Sequence, residues 1–262
     1  MPQFHADDGT VIAYKVWEGE PGLPLVLLHH GFIASGLTNW ELPGVVSALT
    51  AAGRRVATVD ARGHGASGKP HDPARYGETR MARDVTALID VLGEPRFDLV
   101  GYSMGAVVAL ITATRDPRVR RLVVGGVGAG VVECGGVDTR VMDGAVLRHA
   151  LLTDDPGSIT DGAAVAFRAF ADASGGDRRA LAAQAAAVHA EPIALSGIAA
   201  ETLVVAGRDD HLAARPEVLA AALPRAVLRR VHGDHLGALR DPAFAPALVE
   251  FLAVPEGAAA GA

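Results

Sequence analysis

The feature that most restricts how this chain can fold is an alternation of short β-branched runs with longer helical stretches, repeated along most of its length. Leu25–His29, Arg55–Val59, Phe97–Gly101, Val119–Val127 and Thr202–Gly207 are compact apolar runs bounded by Gly, Pro or Asp. Such runs, without polar alternation, fit strands covered on both faces of a parallel sheet. Val11–Trp17 alternates as a half-buried strand does, and Ala226–Val231 supplies a further run. Leu42–Ala52, Thr79–Leu92, Ser103–Thr114, Ala213–Ala222 and Pro242–Leu252 carry helical spacing between them. Strand and helix in turn, repeated this often, predict an α/β doubly wound sheet.

One interval breaks the rhythm. From the strand ending near Gly130 to the one starting near Thr202 there is no strand pattern. Met142–Leu152, Ile159–Ala171 and Arg178–Val188 read as Ala-rich helices, separated by Asp154-Asp155-Pro156-Gly157 and Ser174-Gly175-Gly176. The expected organisation is one domain, with a core of residues 1–130 and 193–254, a short helical lid at 131–192 and a frayed tail at 255–262. Met142, Leu147, Phe167 and Phe170 are the larger apolar groups of that insertion, placed either to line a pocket or to seat it on the core.

Charge and cysteine content narrow the partners. The 262 residues carry 24 Lys and Arg against 30 Asp and Glu, a formal charge of −6, with no basic run, so a nucleic-acid or anionic-membrane surface is not expected. Cys134 is the single cysteine, which excludes an internal disulfide framework and a cysteine-based zinc cluster. Met1 to Thr10 lacks the basic-then-apolar pattern of a signal peptide, and no apolar stretch approaches the roughly 18–20 residues needed to span a bilayer. A cytoplasmic protein is expected.

Gly101-Tyr102-Ser103-Met104-Gly105 fits G-x-S-x-G, and its context matters more than the motif. A strand pattern precedes it and a helix pattern, Ala106–Thr114, follows. Strand, tight turn and helix put Ser103 on a strained elbow at the carboxyl end of the sheet. A Cβ at either flanking glycine would clash where strand and helix cross closely. A serine hydroxyl needs a base to take its proton. Of ten histidines, His235 lies in the loop after the last strand, free to reach the sheet edge; His232, nearer the strand end, is the runner-up. The base needs a carboxylate to hold its tautomer, and Gly207-Arg208-Asp209-Asp210 leaves a buried strand at the same edge. The residues alone do not separate Asp209 from Asp210. A backbone N–H after the strand Leu25–Leu28, in His29-His30-Gly31-Phe32, and that of Met104 are candidates for an oxyanion hole.

With these segments, the chain resembles the α/β-hydrolase superfamily from Val11 to Leu252. The carrying motifs are His30-Gly31-Phe32, Asp60-Ala61-Arg62-Gly63-His64-Gly65-Ala66-Ser67, Gly101-Tyr102-Ser103-Met104-Gly105, Gly207-Arg208-Asp209-Asp210 and Gly233-Asp234-His235. The resemblance implies an α/β-hydrolase fold, the acid at Asp210, three residues after the strand-ending glycine, and an oxyanion donor at Phe32. Ala106 stands where many relatives carry a second glycine. Dehalogenases and epoxide hydrolases of the superfamily carry Asp at the elbow, so Ser103 argues for acyl transfer, and the only tyrosines, Tyr14, Tyr76 and Tyr102, lie outside the insertion. The implied activity is hydrolysis of an ester-type bond in a small or medium acyl substrate. Thioester, lactone and carbon–carbon cleavage on the same triad are the alternatives, and a non-catalytic hydrolase-like binding protein is the reading from another class.

Two decoys overlap the second motif. Gly63–Gly68 fits G-x-G-x-x-G and Gly63–Lys69 fits G-x-x-x-x-G-K, but Pro70 follows the lysine and no helix opens directly, so no nucleotide cofactor is expected. His211, His232, Asp234 and His235, with Asp209 and Asp210, make a tempting metal set. No H-E-x-x-H or comparable pair organises them, and no metal is expected. Cys134 reads as a small buried hydrophobe or an inert thiol of the insertion.

Overall fold

Eight strands join in one sheet in the computed structural model, which describes residues 1–141 and 143–253. They are β1 (Gln3–His5), β2 (Val11–Trp17), β3 (Leu25–His29), β4 (Val56–Val59), β5 (Phe97–Tyr102), β6 (Val119–Gly125), β7 (Glu201–Gly207) and β8 (Ala226–Val231). The order across the sheet is β1-β2-β4-β3-β5-β6-β7-β8. β1 and β2 run antiparallel, β2 is antiparallel to β4, and every pair from β4 to β8 is parallel. This is the α/β sheet that the alternating pattern predicted and the α/β-hydrolase fold that the resemblance implied.

Burial on both faces follows from helices on each side. In β3 the side chains alternate: Leu25 and Leu27 enter one cluster, Val26 and Leu28 the other. The first cluster is covered by α2 (Glu78–Leu92) and α3 (Met104–Ala113), through Met81, Val85, Leu88, Val107 and Leu110. The second is covered by α1 (Val45–Ala51) and α9 (Phe244–Ala253), through Leu49, Phe244, Leu248 and Leu252, with Trp40 fully buried among them. Each such side chain contributes roughly 1.5–3 kcal/mol on burial, so the central strands are the least deformable part of the molecule.

The differences from expectation have local causes. β1 has three residues, too few to show a period. β6 stops at Gly125 rather than Val127, because Gly126 turns the chain at φ +67° and α4 (Ala129–Cys134) starts soon after. The helix expected at Leu42–Ala52 begins only at Val45 and is preceded by a π-helical turn, Leu37–Glu41. α8 (Pro216–Ala222) starts at its proline, which suits a first helical position, rather than at Ala213.

Among the described residues of 126–200 there is no strand; after α4 come α5 (Gly144–Leu152), α6 (Gly162–Ala173) and α7 (Arg178–Ala185). Asp143, Asp161 and Asp177 cap these three helices by accepting first-turn backbone N–H groups. Leu147, Leu151, Ala171, Leu181 and Ala185 make a cluster of their own, joined by Ile33 from the loop after β3. Cys134, at the end of α4, is half-buried rather than fully buried. Met142 and the tail 255–262, for which a pocket or packing role and fraying were expected, lie outside the described residues. Among those described, no helix is long and apolar enough to cross a membrane.

Candidate active site

The parallel strands end at one edge of the sheet, and their register lines up the segments that carry polar groups. His29 pairs with Gly101, Tyr102 with Gly125, Gly125 with Val205, and Gly207 with Val231. The residues immediately after β3, β5, β7 and β8 therefore emerge side by side. Gly31, Phe32, Ser103, Asp210 and His235 all line one cavity of about 290 Å³ at this edge.

Ser103 joins β5 to α3 with φ +53° and ψ −118°, backbone that non-glycine residues rarely adopt. The surroundings impose it. A Cβ at Gly101 would run into the carbonyl of Gly105, and one at Gly105 into the carbonyl of His29, so strand, helix and neighbouring strand cross at backbone distance. The Ser103 N–H donates to the Gly125 carbonyl at 2.8 Å, and its own carbonyl accepts from Ala106 N–H at 2.9 Å. The hydroxyl is thus presented from a rigid bend. Met104 is the first helical residue of α3, and its N–H belongs to the first turn, which has no intrahelical acceptor.

Asp210 is buried while Asp209 is exposed. The Asp210 carboxylate approaches His235 Nδ1 with Oδ2 at 2.9 Å and Oδ1 at 3.0 Å, and Oδ1 also accepts the N–H groups of Leu212 and Ala213 at 3.0 and 3.2 Å. A carboxylate that accepts from backbone N–H groups is an acceptor toward the ring as well, so His235 Nδ1–H donates, which turns Nε2 away from Asp210. His232 is exposed, and its backbone N–H donates to Asp241 Oδ2 at 2.7 Å. Of the two histidines weighed from sequence, His235 is the one brought to the acid.

Three supports were not visible in the sequence. The Tyr102 hydroxyl donates to the His235 carbonyl at 2.7 Å, and its ring lies 5.3 Å from the imidazole, so the residue before the serine also holds the histidine loop. Burial keeps that phenol well above its usual range, a neutral donor. Asn39, in the π-helical turn, accepts the Gly31 N–H on Oδ1 at 3.0 Å. The third is His30, whose Nδ1–H donates to the Gly31 carbonyl at 2.7 Å while Nε2 accepts Ala61 N–H at 2.9 Å. That ring must be neutral to do both, and burial holds His30 well below 6.5 and His29 and His64 at about 4. In sequence, none of these contacts has a signal beyond the motif it flanks.

The segment after β4 is scaffold. Asp60 accepts Gly36 N–H and Ala66 N–H, each at 2.8 Å, tying this loop to the one after β3. Arg62 is fully buried and grips Asp84 with two hydrogen bonds of 2.7 Å, with Asp8 at 2.8 Å on its third nitrogen. Gly63 and Gly65 lie in turns, and the next helical piece is the 3₁₀ turn Pro73–Arg75, so no helix opens directly from these glycines as a dinucleotide fingerprint requires. Among the described residues no group of three or more His, Cys, Asp or Glu side chains is placed to hold a metal ion.

Known proteins match this picture. A family model described as the alpha/beta hydrolase fold matches residues 24–129. Over 114 residues the chain is 39% identical to sn-1-specific diacylglycerol lipase of Mus musculus, covering 43% of this chain and 36% of the lipase. Over 102 residues it is 39% identical to epoxide hydrolase A of Mycobacterium tuberculosis, covering 39% of this chain and 31% of that enzyme. These matches span about a third of the length of the curated relatives. In three dimensions, the crystal structure of a hydrolase from Pseudomonas aeruginosa is similar at a TM-score of 0.76 and 29% identity, covering 97% of this chain and 98% of that one. The chain has the α/β-hydrolase fold, and residues 24–129 match that family's model.

Proposed function

We propose that this protein is a serine hydrolase that cleaves an ester-type bond of a small or medium acyl substrate through Ser103, His235 and Asp210. The observation that carries the reading is the strained serine on the same cavity wall as an imidazole whose Nδ1 is held by a buried carboxylate. In the proposed cycle His235 Nε2 takes the Ser103 proton as Oγ attacks the carbonyl carbon. The backbone N–H groups of Phe32 and Met104 receive the oxyanion. Collapse breaks the bond to the leaving alcohol, which takes the proton from His235 and departs, leaving an acyl-enzyme. Water, deprotonated by the same imidazole, then releases the acid and restores the serine.

The two curated relatives are named for different bonds, and a serine at the elbow supports the ester reading. A serine forms an acyl ester from a carbonyl substrate; attack on an epoxide carbon would leave a serine ether, which water does not reopen by this route. Helices α5 to α7 serve as the lid in this reading. Phe167 and Phe170 line the cavity, and Leu147 lies in the cluster that joins these helices to the loop after β3.

A panel of p-nitrophenyl esters, thioesters and lactones, run with the parent and Ser103→Ala, tests the reading. The parent turns over at least one acyl class, and the variant loses on the order of 10⁶-fold in kcat, the size seen when a triad serine is removed. Full turnover by the variant would end the nucleophile assignment.

A further inference from the structure

Beyond Ser103 lies a second lobe of about 120 Å³, which shares Phe32, Ser103, Phe167 and Leu212 with the larger cavity. Its wall is largely apolar, with Met104, Leu147 and Val188 among the lining residues, and contains no Lys or Arg. Besides Ser103, its polar side chains are Asp138, Thr139, Glu78 and Gln184; the last two, at the start of α2 and in α7, are the most deeply buried of these four, 2% and 1% exposed.

Both are only partly satisfied. Glu78 accepts the His189 N–H on Oε2 at 2.7 Å and its own backbone N–H, which uses two of about four acceptor positions on a carboxylate. Gln184 accepts the Gly77 N–H on Oε1 at 3.3 Å, and among the described residues its amide nitrogen has no acceptor. The remaining carboxyl in this wall, Asp138, is taken by Arg140 at 2.7 Å. The lobe therefore combines apolar walls with one open acceptor and one open donor.

We propose that this lobe takes the end of an acyl chain bearing a hydroxyl group, which donates to Glu78 and accepts from Gln184. The assignment rests on the serine hydrolase reading and names the substrate class within it. The alternatives fit less well. A carboxylate end would face the Glu78 carboxyl, and an ammonium would be stripped of water in an apolar lobe. Burial pushes Glu78 up to about 7, so near neutrality it exists in both forms. A hydroxyl, both donor and acceptor, satisfies either. A plain alkyl chain would bury the open donor and acceptor unpaired, and sites built to bond a substrate hydroxyl reject analogues lacking it.

The test is the ratio of kcat/KM for ω-hydroxylated over plain p-nitrophenyl esters at six and eight carbons, with the acetate ester as reference. The parent should favour a hydroxylated ester by at least about tenfold, and the ratio should fall toward one in Glu78→Met and in Gln184→Met. A merely structural role would lower both esters alike and leave the ratio unchanged, which would overturn the proposal. Acetate turnover with a parent ratio near one removes the lobe assignment and leaves the serine hydrolase reading standing. No turnover of any ester sinks both.

Discussion

The strand ends and the helical insertion contribute to the same cavity, but they are built differently. At the sheet edge the backbone dictates the site: β3 and β5 are buried throughout, Gly101 and Gly105 pack against carbonyls, and Ser103 accepts an unfavourable φ because nothing around it can move. The insertion supplies side chains on short helices, tied to the core by polar contacts that include His71 to Asp177 at 3.0 Å, Gly77 to Gln184, His189 to Glu78 and Arg215 to Glu133 at 2.7 Å. The edge is a precise site on rigid elements; in the proposed reading the insertion sets what can enter, and that reading predicts that reaction chemistry and selectivity separate by mutation.

The largest effect expected from that separation falls on the edge. Asp210→Asn should lower kcat by about 10⁴-fold, since an amide would hold His235 in the wrong tautomer, whereas Asp209→Asn, exposed and one residue away, should change it little. Steady-state kinetics on one ester check both, and the reverse ranking would move the acid by one position. Next comes a stability contrast between glycines. Gly101→Ala forces a Cβ into the Gly105 carbonyl and should cost about 3 kcal/mol or more, among the larger losses from a single substitution. Gly162→Ala, at the start of α6 with open space around it, should be neutral or stabilise by up to about 1 kcal/mol. Urea denaturation of the two variants measures the difference.

Glu78, at the start of α2 beneath the insertion, and the buried histidines near the sheet edge titrate in opposite senses. Glu78 is raised from 4.5 to about 7, so the folded state binds its proton more tightly and stability falls as pH rises from about 4.5 through 7. A shift of that size corresponds to about 3 kcal/mol. Buried His29, His30 and His64 are lowered, so their contribution is fully present above about 6.5 and is lost on acidification, through about 4 for His29 and His64. Denaturation midpoints in Glu78→Gln should lack the decline between 4.5 and 7 while keeping the acid-side loss. An unchanged profile would show that Glu78 does not titrate in this window. The smallest effect is that of Tyr102→Phe, which deletes one hydrogen bond to the histidine loop. About 1 kcal/mol, roughly a fivefold fall in kcat with KM held, is expected. A larger change in KM than in kcat would mean that the hydroxyl serves substrate binding instead.

Much of the edge was legible because its causes are local. β-Branched runs mark buried strands, and glycines flanking a serine between strand and helix mark the elbow. The choice between Asp209 and Asp210 was not local: both sit in a polar turn, and only the family's spacing, then the geometry at His235 Nδ1, separated them. Asn39 on Gly31 and His30 on Ala61 join loops from different strands, pairings with no sequence period behind them. Glu78 and Gln184 were the least legible. They are 106 residues apart, each ordinary at its helical position, and they meet only because α7 packs over the start of α2.

The central claim, that Ser103 is the activated nucleophile, is tested most directly by covalent labelling. Treatment with a fluorophosphonate followed by intact-mass and peptide mass spectrometry should give one adduct, on the peptide containing Ser103, displacing fluoride from phosphorus. It should be absent in Ser103→Ala and slowed by orders of magnitude in His235→Ala. An adduct that persists in Ser103→Ala, or a parent that resists labelling while folded, would contradict it.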